Sequence, residues 1–145
     1  MADELLSFTT DGTGFRPYRM EGVRWWDVGD WREADEAGRR AWPDWEFWPE
    51  EEWRQLYGEG YRYCALLRDG AAVATAGLWL RSPTTWEVIA VGTAPLYRGQ
   101  GYAKAVVTFV TEHVLVQGRM ARITTRSDNL PMRRVIARLG FRPQR

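Results

Sequence analysis

The chain has 145 residues, 27% of them charged and 45% apolar or aromatic, the profile of one soluble globular domain long enough to bury a core. No apolar run reaches membrane-spanning length, and the start Met1-Ala2-Asp3-Glu4 has no basic region ahead of an apolar one, so neither a membrane span nor a leader is expected and the expected location is cytoplasmic. The single cysteine, Cys64, excludes an internal disulfide and reads as a small buried hydrophobe in a strand. The formal net charge of +1 hides an asymmetry: residues 1–70 hold 16 acids and 9 bases, residues 71–145 hold 3 acids and 11 bases. A basic second half favours a polyanionic ligand, or else it is a solvated arginine face. A nucleic-acid partner is not expected, because the arginines form no motif or dense cluster with interleaved aromatics.

In chain order, residues 5–9 and 15–20 flank Asp11-Gly12-Thr13-Gly14, which predicts a β-hairpin or loose arm over residues 1–21, ahead of a main domain over 22–145. A short strand follows at about 22–26. Asp30 with Glu33 has the spacing of a capping box for a helix through about residue 40. Pro49 opens a second helix whose first turn, Glu50-Glu51-Glu52, suits the positive end of the helix dipole. Residues 61–67 and 72–80 read as strands joined at Asp69-Gly70, a hairpin turn, and a third strand covers about 85–91. A long helix is predicted over 99–117, a strand over 122–126, and a last helix over 130–139 closed by Gly140. The order β-α-α-β-β-β-α-β-α defines a mixed α/β (α+β) sheet.

Trp42, Trp45, Trp48 and Trp53, four of nine tryptophans, crowd around the two early helices. Core packing and a hydrophobic lid explain them. So does an aromatic cage, because Asp44, Glu46 and Glu50–Glu52 lie among them with no base from Pro43 to Trp53, and such a region attracts a cationic amine.

The most telling segment runs from Val91 to Ala103, where an apolar strand enters Arg98-Gly99-Gln100-Gly101 and opens onto a helix. Glycines lacking Cβ let backbone N–H groups approach a ligand closely, and these donors lie at the positive end of the helix dipole. A phosphate or diphosphate is therefore indicated. The segment is no Walker A loop, since no Gly-Lys-[Ser/Thr] follows, and it lacks the third glycine and ribose-binding acid of a dinucleotide fingerprint.

The strand ending at Val91, the R-G-x-G-x-A turn from Arg98 to Ala103, and Asn129 followed eleven residues later by Gly140-Phe141 together resemble the GNAT superfamily of acyl-CoA-dependent N-acetyltransferases. The resemblance covers about residues 86–141 and implies a mostly antiparallel central sheet flanked by helices. It implies acetyl-CoA as cosubstrate, an amine as acceptor, and no metal. The amides from Leu96 through Tyr97, Arg98, Gly99, Gln100, Gly101 and Tyr102 to Ala103 would hold the CoA diphosphate, with Arg98 adding charge. Val91 and Thr93 would pair with the pantetheine arm, the Val91 N–H polarising the acyl carbonyl. Asn129 would contact that arm, and Arg133 with Arg134 would reach the 3′-phosphate or else be solvated.

For removing a proton from the amine, Glu87 is the candidate, on the strand that holds the cofactor and on the face expected for Ile89 and Val91. A salt-bridged or exposed glutamate is the alternative. Two departures from the family pattern stand out. Ile136 occupies the place of the tyrosine that protonates the departing thiol, although a thiol of pKa near 8.5 leaves tolerably as thiolate. The chain also ends four residues after Phe141, where relatives continue into two more strands; residues 1–20 or a second subunit, hence a homodimer, are expected to cover that edge. No cysteine or serine stands out as a nucleophile, so direct attack is expected. A CoA-binding regulatory or interaction domain without catalysis is the alternative function.

Overall fold

The computed structural model describes residues 4–144. One seven-stranded sheet carries the fold, in the order β2-β3-β4-β5-β6-β1-β7. The strands are β1 (Leu5–Thr10), β2 (Val23–Trp26), β3 (Tyr61–Arg68), β4 (Ala71–Trp79), β5 (Thr85–Thr93), β6 (Met120–Arg126) and the two-residue β7 (Arg142–Pro143). The helices are α1 (Trp31–Ala41), α2 (Glu50–Gly58), α3 (Tyr102–Val116) and α4 (Leu130–Leu139). All neighbours pair antiparallel except β5 and β6, which run parallel through α3 as crossover. The mixed, mostly antiparallel sheet read from the sequence is the one observed.

Two apolar layers sandwich the sheet. On one face Leu66, Leu78, Val88 and Ile123 pack against Val106, Val110 and Val114 of α3 and against Ile136 and Leu139 of α4. On the other, Trp26, Tyr63, Ala65 and Ala72 meet Ala34 and Ala37 of α1 and Trp53 of α2. The buried stripe of α1 is Ala34, Ala37, Gly38 and Ala41, small residues one helical turn apart that let the helix lie close to β4. The β3–β4 turn has φ of 51° at Asp69 and 78° at Gly70, the left-handed pair that a tight two-residue hairpin requires.

The chain termini differ from expectation. Residues 5–9 do not form a hairpin with 15–20. Instead β1 inserts between β6 and β7, pairing Leu5 through Thr10 with Arg126 through Ala121, while residues 15–20 contain no strand. The reason is the partner on offer: β6 presents an open edge, and Phe8 packs against the core from β1. The following segment crosses α3 and α4, with the Arg16 N–H donating to the Leu139 carbonyl and the Tyr18 N–H to the Thr108 hydroxyl. The edge of β6 is thus covered from within the chain, and a short strand does follow Phe141. The capping box also moves one turn earlier. Asp27 and Asp30 form it, the Asp27 N–H donating to the Asp30 carboxylate at 2.8 Å, and Glu33 pairs with Arg24 instead.

Phe8→Ala should lower stability by about 2–3 kcal/mol, somewhat below the loss typical of a fully buried phenylalanine. Urea denaturation measures it, and an unchanged midpoint would show that β1 contributes no packing.

Candidate active site

β5 and β6 part company in mid-strand. Their pairing runs from Thr85–Met120 to Val88–Ile123 and stops, while β6 continues along β1 to Arg126. Beyond Val88, therefore, β5 is paired through β4 alone, and its other edge is open to an extended ligand. At the same place β5 bulges. Thr75 opposes Gly92 and Gly77 opposes Ile89, so Ala90 and Val91 together face the single residue Ala76. Ala90 holds φ of 55°, unusual for a residue with a side chain, and its carbonyl accepts from the Thr75 hydroxyl at 3.4 Å.

The bulge overturns one expectation. Cross-strand partners share a face, so Glu87, Ile89 and Gly92 lie on the α1–α2 side with Trp79, Gly77 and Thr75, and Val91 and Thr93 lie on the α3–α4 side. Glu87 and Val91 occupy opposite faces. An extra residue inverts the alternation, and period-two reasoning cannot cross it.

A cleft of about 570 Å³ lies over the parted strands. Val91, Gly92 and Thr93 of β5 form one wall, Arg98, Gly99, Gly101 and the first turn of α3 (Tyr102, Ala103, Lys104) another, and Asn129 with one side of α4 the third. The glycines work as the sequence suggests. Gly99 has φ of 80° with open space where a β-carbon would stand, and Gly101 has φ of 83° with the Tyr18 ring against it. Gly101 caps α3 without a side chain, so the first N–H groups of the helix have no side-chain acceptor. Asn129 caps α4 by accepting from the Met132 N–H at 3.2 Å, which leaves its amide NH₂ as a donor beside the cleft.

Arg98, Lys104, Arg134 and Arg138 line this cleft, and among the described residues none of them makes an ion pair. Among the described residues no carboxylate lines it. Uncapped helix amides, a free strand edge and unpaired cations form a donor set fitted to a long ligand with an amide-bearing arm and several phosphates.

Of the residues singled out from sequence, Val91, Thr93, Arg98, Gly99, Gly101, Tyr102, Ala103 and Asn129 line the cleft together. Leu96, Tyr97, Gln100 and Arg133 do not; Leu96 is 87% exposed and Arg133 donates to the Ser127 carbonyl at 2.9 Å. Arg134, singled out with Arg133, does line the cleft, and Arg138, one helical turn further on, lines it where Arg133 does not. That spacing marks them as one face of α4 and could have been read from the sequence; Trp42, read there with the tryptophans of the early helices, also lines the cleft. Glu87 is 7% exposed and lines neither this cleft nor the cavity described next. Its carboxylate lies 3.4 Å from Arg81 and 3.6 Å from Arg122. Ile136 is fully buried against the core, so its position on α4 faces away from the cleft.

A second cavity of about 170 Å³ opens beside the bulge, walled by Trp26, Trp45, Phe47, Trp48 and Tyr63, with Glu46, Thr75, Ala76 and Ala90. Cys64 also borders it, but burial pushes the thiol well above its ordinary pKa, which makes it a poor nucleophile.

Residues 21–141 match the Acetyltransferase (GNAT) family, and the chain belongs to that family. Its members are acetyltransferases, and the fold binds acyl-CoA. Among solved structures, a GNAT-family protein from Novosphingobium aromaticivorans is 26% identical with a TM-score of 0.72, over 97% of this chain and 60% of that one. A GNAT-family acetyltransferase from Colwellia psychrerythraea is 22% identical with a TM-score of 0.72, over 96% and 52%. The enzyme AAC(6′)-Iy, solved with the bisubstrate analogue CoA-S-monomethyl-acetylneamine, is 18% identical with a TM-score of 0.64, over 85% and 92%. The chain thus spans only about half to three fifths of the first two proteins. A search among curated proteins gave no match. Among the described residues no helix is long and apolar enough to cross a membrane.

Gly101→Ala should cost about 1–2 kcal/mol, because a left-handed φ is imposed on a side chain and Tyr18 already fills the space. Thermal denaturation of the variant checks this; a neutral result would mean the turn relaxes freely.

Proposed function

We propose that the chain transfers an acetyl group from acetyl-CoA to a primary amine by direct attack. The observation that carries this reading is the cleft itself: the uncapped start of α3 and unpaired cations lie beside the open edge of a bulged β5. In this reading the amides from Gly99 to Lys104 bind the diphosphate, and Arg98 adds charge. Arg134 and Arg138 bind the 3′-phosphate, and Val91 with Thr93 pairs with the pantetheine arm. Asn129 donates to that arm from the opposite side.

Bound acetyl-CoA supplies a thioester carbonyl to be attacked. The Val91 N–H donates to that carbonyl oxygen and stabilises the charge that develops there. The amine nitrogen forms the new C–N bond, the C–S bond breaks, and the thiol departs as thiolate, so the buried Ile136 costs the reaction no essential acid. The amine's proton passes through water to Glu87 on the α1–α2 side of the strand. Arg81 and Arg122, at 3.4 and 3.6 Å, hold the carboxylate in place. β1 covers β6, so the reading needs no second subunit to complete the sheet.

Thiol release from acetyl-CoA in the presence of pooled amines tests the proposal, and a folded chain that binds CoA yet releases no thiol with any amine would instead be a binding domain. Glu87→Gln should slow turnover by at least about tenfold, the low end for a proton-transfer group, with the Kd for CoA retained; an unchanged rate removes Glu87 from the mechanism. Arg134→Ala combined with Arg138→Ala should weaken CoA binding about tenfold or more, as expected for hydrogen bonds to charged groups. Calorimetry should show that the double variant no longer distinguishes CoA from dephospho-CoA, and retained discrimination would take α4 out of the phosphate site.

A further inference from the structure

We infer that the 170 Å³ cavity beside the bulge is the acceptor pocket, and that it selects a primary amine borne on a small aromatic or compact apolar body. This rests on the acetyl-transfer reading for the reaction, though not for the binding. The first argument is position. Ala90 lines this cavity and the next residue, Val91, lines the cofactor cleft, so the two spaces meet across a single residue of β5. Both residues belong to the bulge, where two residues of β5 oppose the single residue Ala76 of β4. Trp42 and Trp45 extend the junction: Trp42 lines the cleft, Trp45 lines the cavity, and their rings lie 6.1 Å apart.

The second argument is the wall. Trp45 and Phe47 stack at 5.3 Å, Phe47 and Trp48 lie 5.5 Å apart, and Trp48 meets Tyr63 at 4.8 Å. Trp45, Phe47 and Trp48 come from the loop between α1 and α2, and Tyr63 from β3, yet the loop rings are fixed. The Trp45 indole donates to Asp35 at 3.1 Å, and the Trp31 indole donates to the Trp48 carbonyl at 2.7 Å. Gly38 gives Trp45 its seat on α1, because a β-carbon there would run into the indole. Burial also pushes the Tyr63 phenol up to about 12, so it is a neutral part of the wall.

The third argument is chemistry. Among the described residues Glu46, an exposed side chain, is the one carboxylate that lines this cavity, and the ring faces of the wall themselves attract an ammonium. A single anionic group in an aromatic box suits a single cationic group on an apolar body. A polyamine would bring further ammonium groups with no second carboxylate to pair them, and an amino sugar would strand its hydroxyls there. The volume agrees, since an apolar cavity of about 150 Å³ holds a benzene ring.

The test is titration of tryptophan fluorescence with 2-phenylethylamine in the presence of CoA, alongside thiol-release assays with 2-phenylethylamine, spermidine and neamine. Saturable binding is expected, with kcat/KM for 2-phenylethylamine at least tenfold above either polyamine or sugar. Glu46→Gln should raise the Kd and KM for that amine five- to tenfold with kcat and CoA affinity nearly unchanged. Gly38→Ala, which displaces Trp45 without removing it, should do the same in a chain whose circular dichroism remains native. Saturable binding without thiol release would sink the transfer reading but keep the pocket. Absence of binding, indifference to Glu46→Gln, or equal use of spermidine or neamine would overturn the assignment.

Discussion

One extra residue in β5 governs the rest of this molecule. With Ala90 and Val91 both set against Ala76, the strand twists out of register with β6, and their pairing ends at Val88–Ile123. The opening exposes a strand edge directly before a glycine turn that starts α3, so edge amides and helix-end amides converge on one cleft. The same bulge turns Glu87 and Val91 to opposite faces, and an aromatic cavity lies within one residue of the cleft there. A residue with a side chain is held at φ of 55° to achieve this. Such a conformation costs about 1–3 kcal/mol and persists only where its surroundings enforce it; here the Thr75 hydroxyl and strand β4 do so.

Charge follows the same division. The unpaired arginines and the lysine of the cleft belong to the basic second half of the chain, and Glu46 on the cavity belongs to the acidic first half. A formal net charge of +1 conceals a cleft whose charged lining is cationic and a cavity whose charged lining is Glu46. Each field matches a different partner in the proposed reaction, a polyanion on one side and an ammonium on the other.

Much of this was legible in the sequence, for identifiable reasons. The central block from Tyr61 to Gly140 is built from local signals, namely the Asp69-Gly70 turn, alternating strands, the glycine turn before α3 and the αL glycine that closes α4. Each signal acts over a few residues and needs no distant partner. Of the hairpin or loose arm expected near the start, the hairpin does not form, because β1 finds its partner more than a hundred residues away, on β6. Alternation in Leu5–Thr10 announces a strand but not its neighbour. The bulge was hidden for a related reason. Ala90 has no glycine or asparagine character to betray a positive φ, and so the inversion of faces at Glu87 and Val91 could not be read. In α4 the helix and Arg134 were read correctly but not the full rotation, which sets Arg138 beside Arg134 on the cleft and ties Arg133 to the Ser127 carbonyl.

The most direct measurement is residue-resolved amide hydrogen exchange with and without acetyl-CoA. The account predicts new protection at the amides of Val91 to Thr93 and of Gly99 to Lys104, two stretches separated in sequence and joined only by the cleft. A folded chain that binds the coenzyme while leaving both stretches unchanged would contradict it.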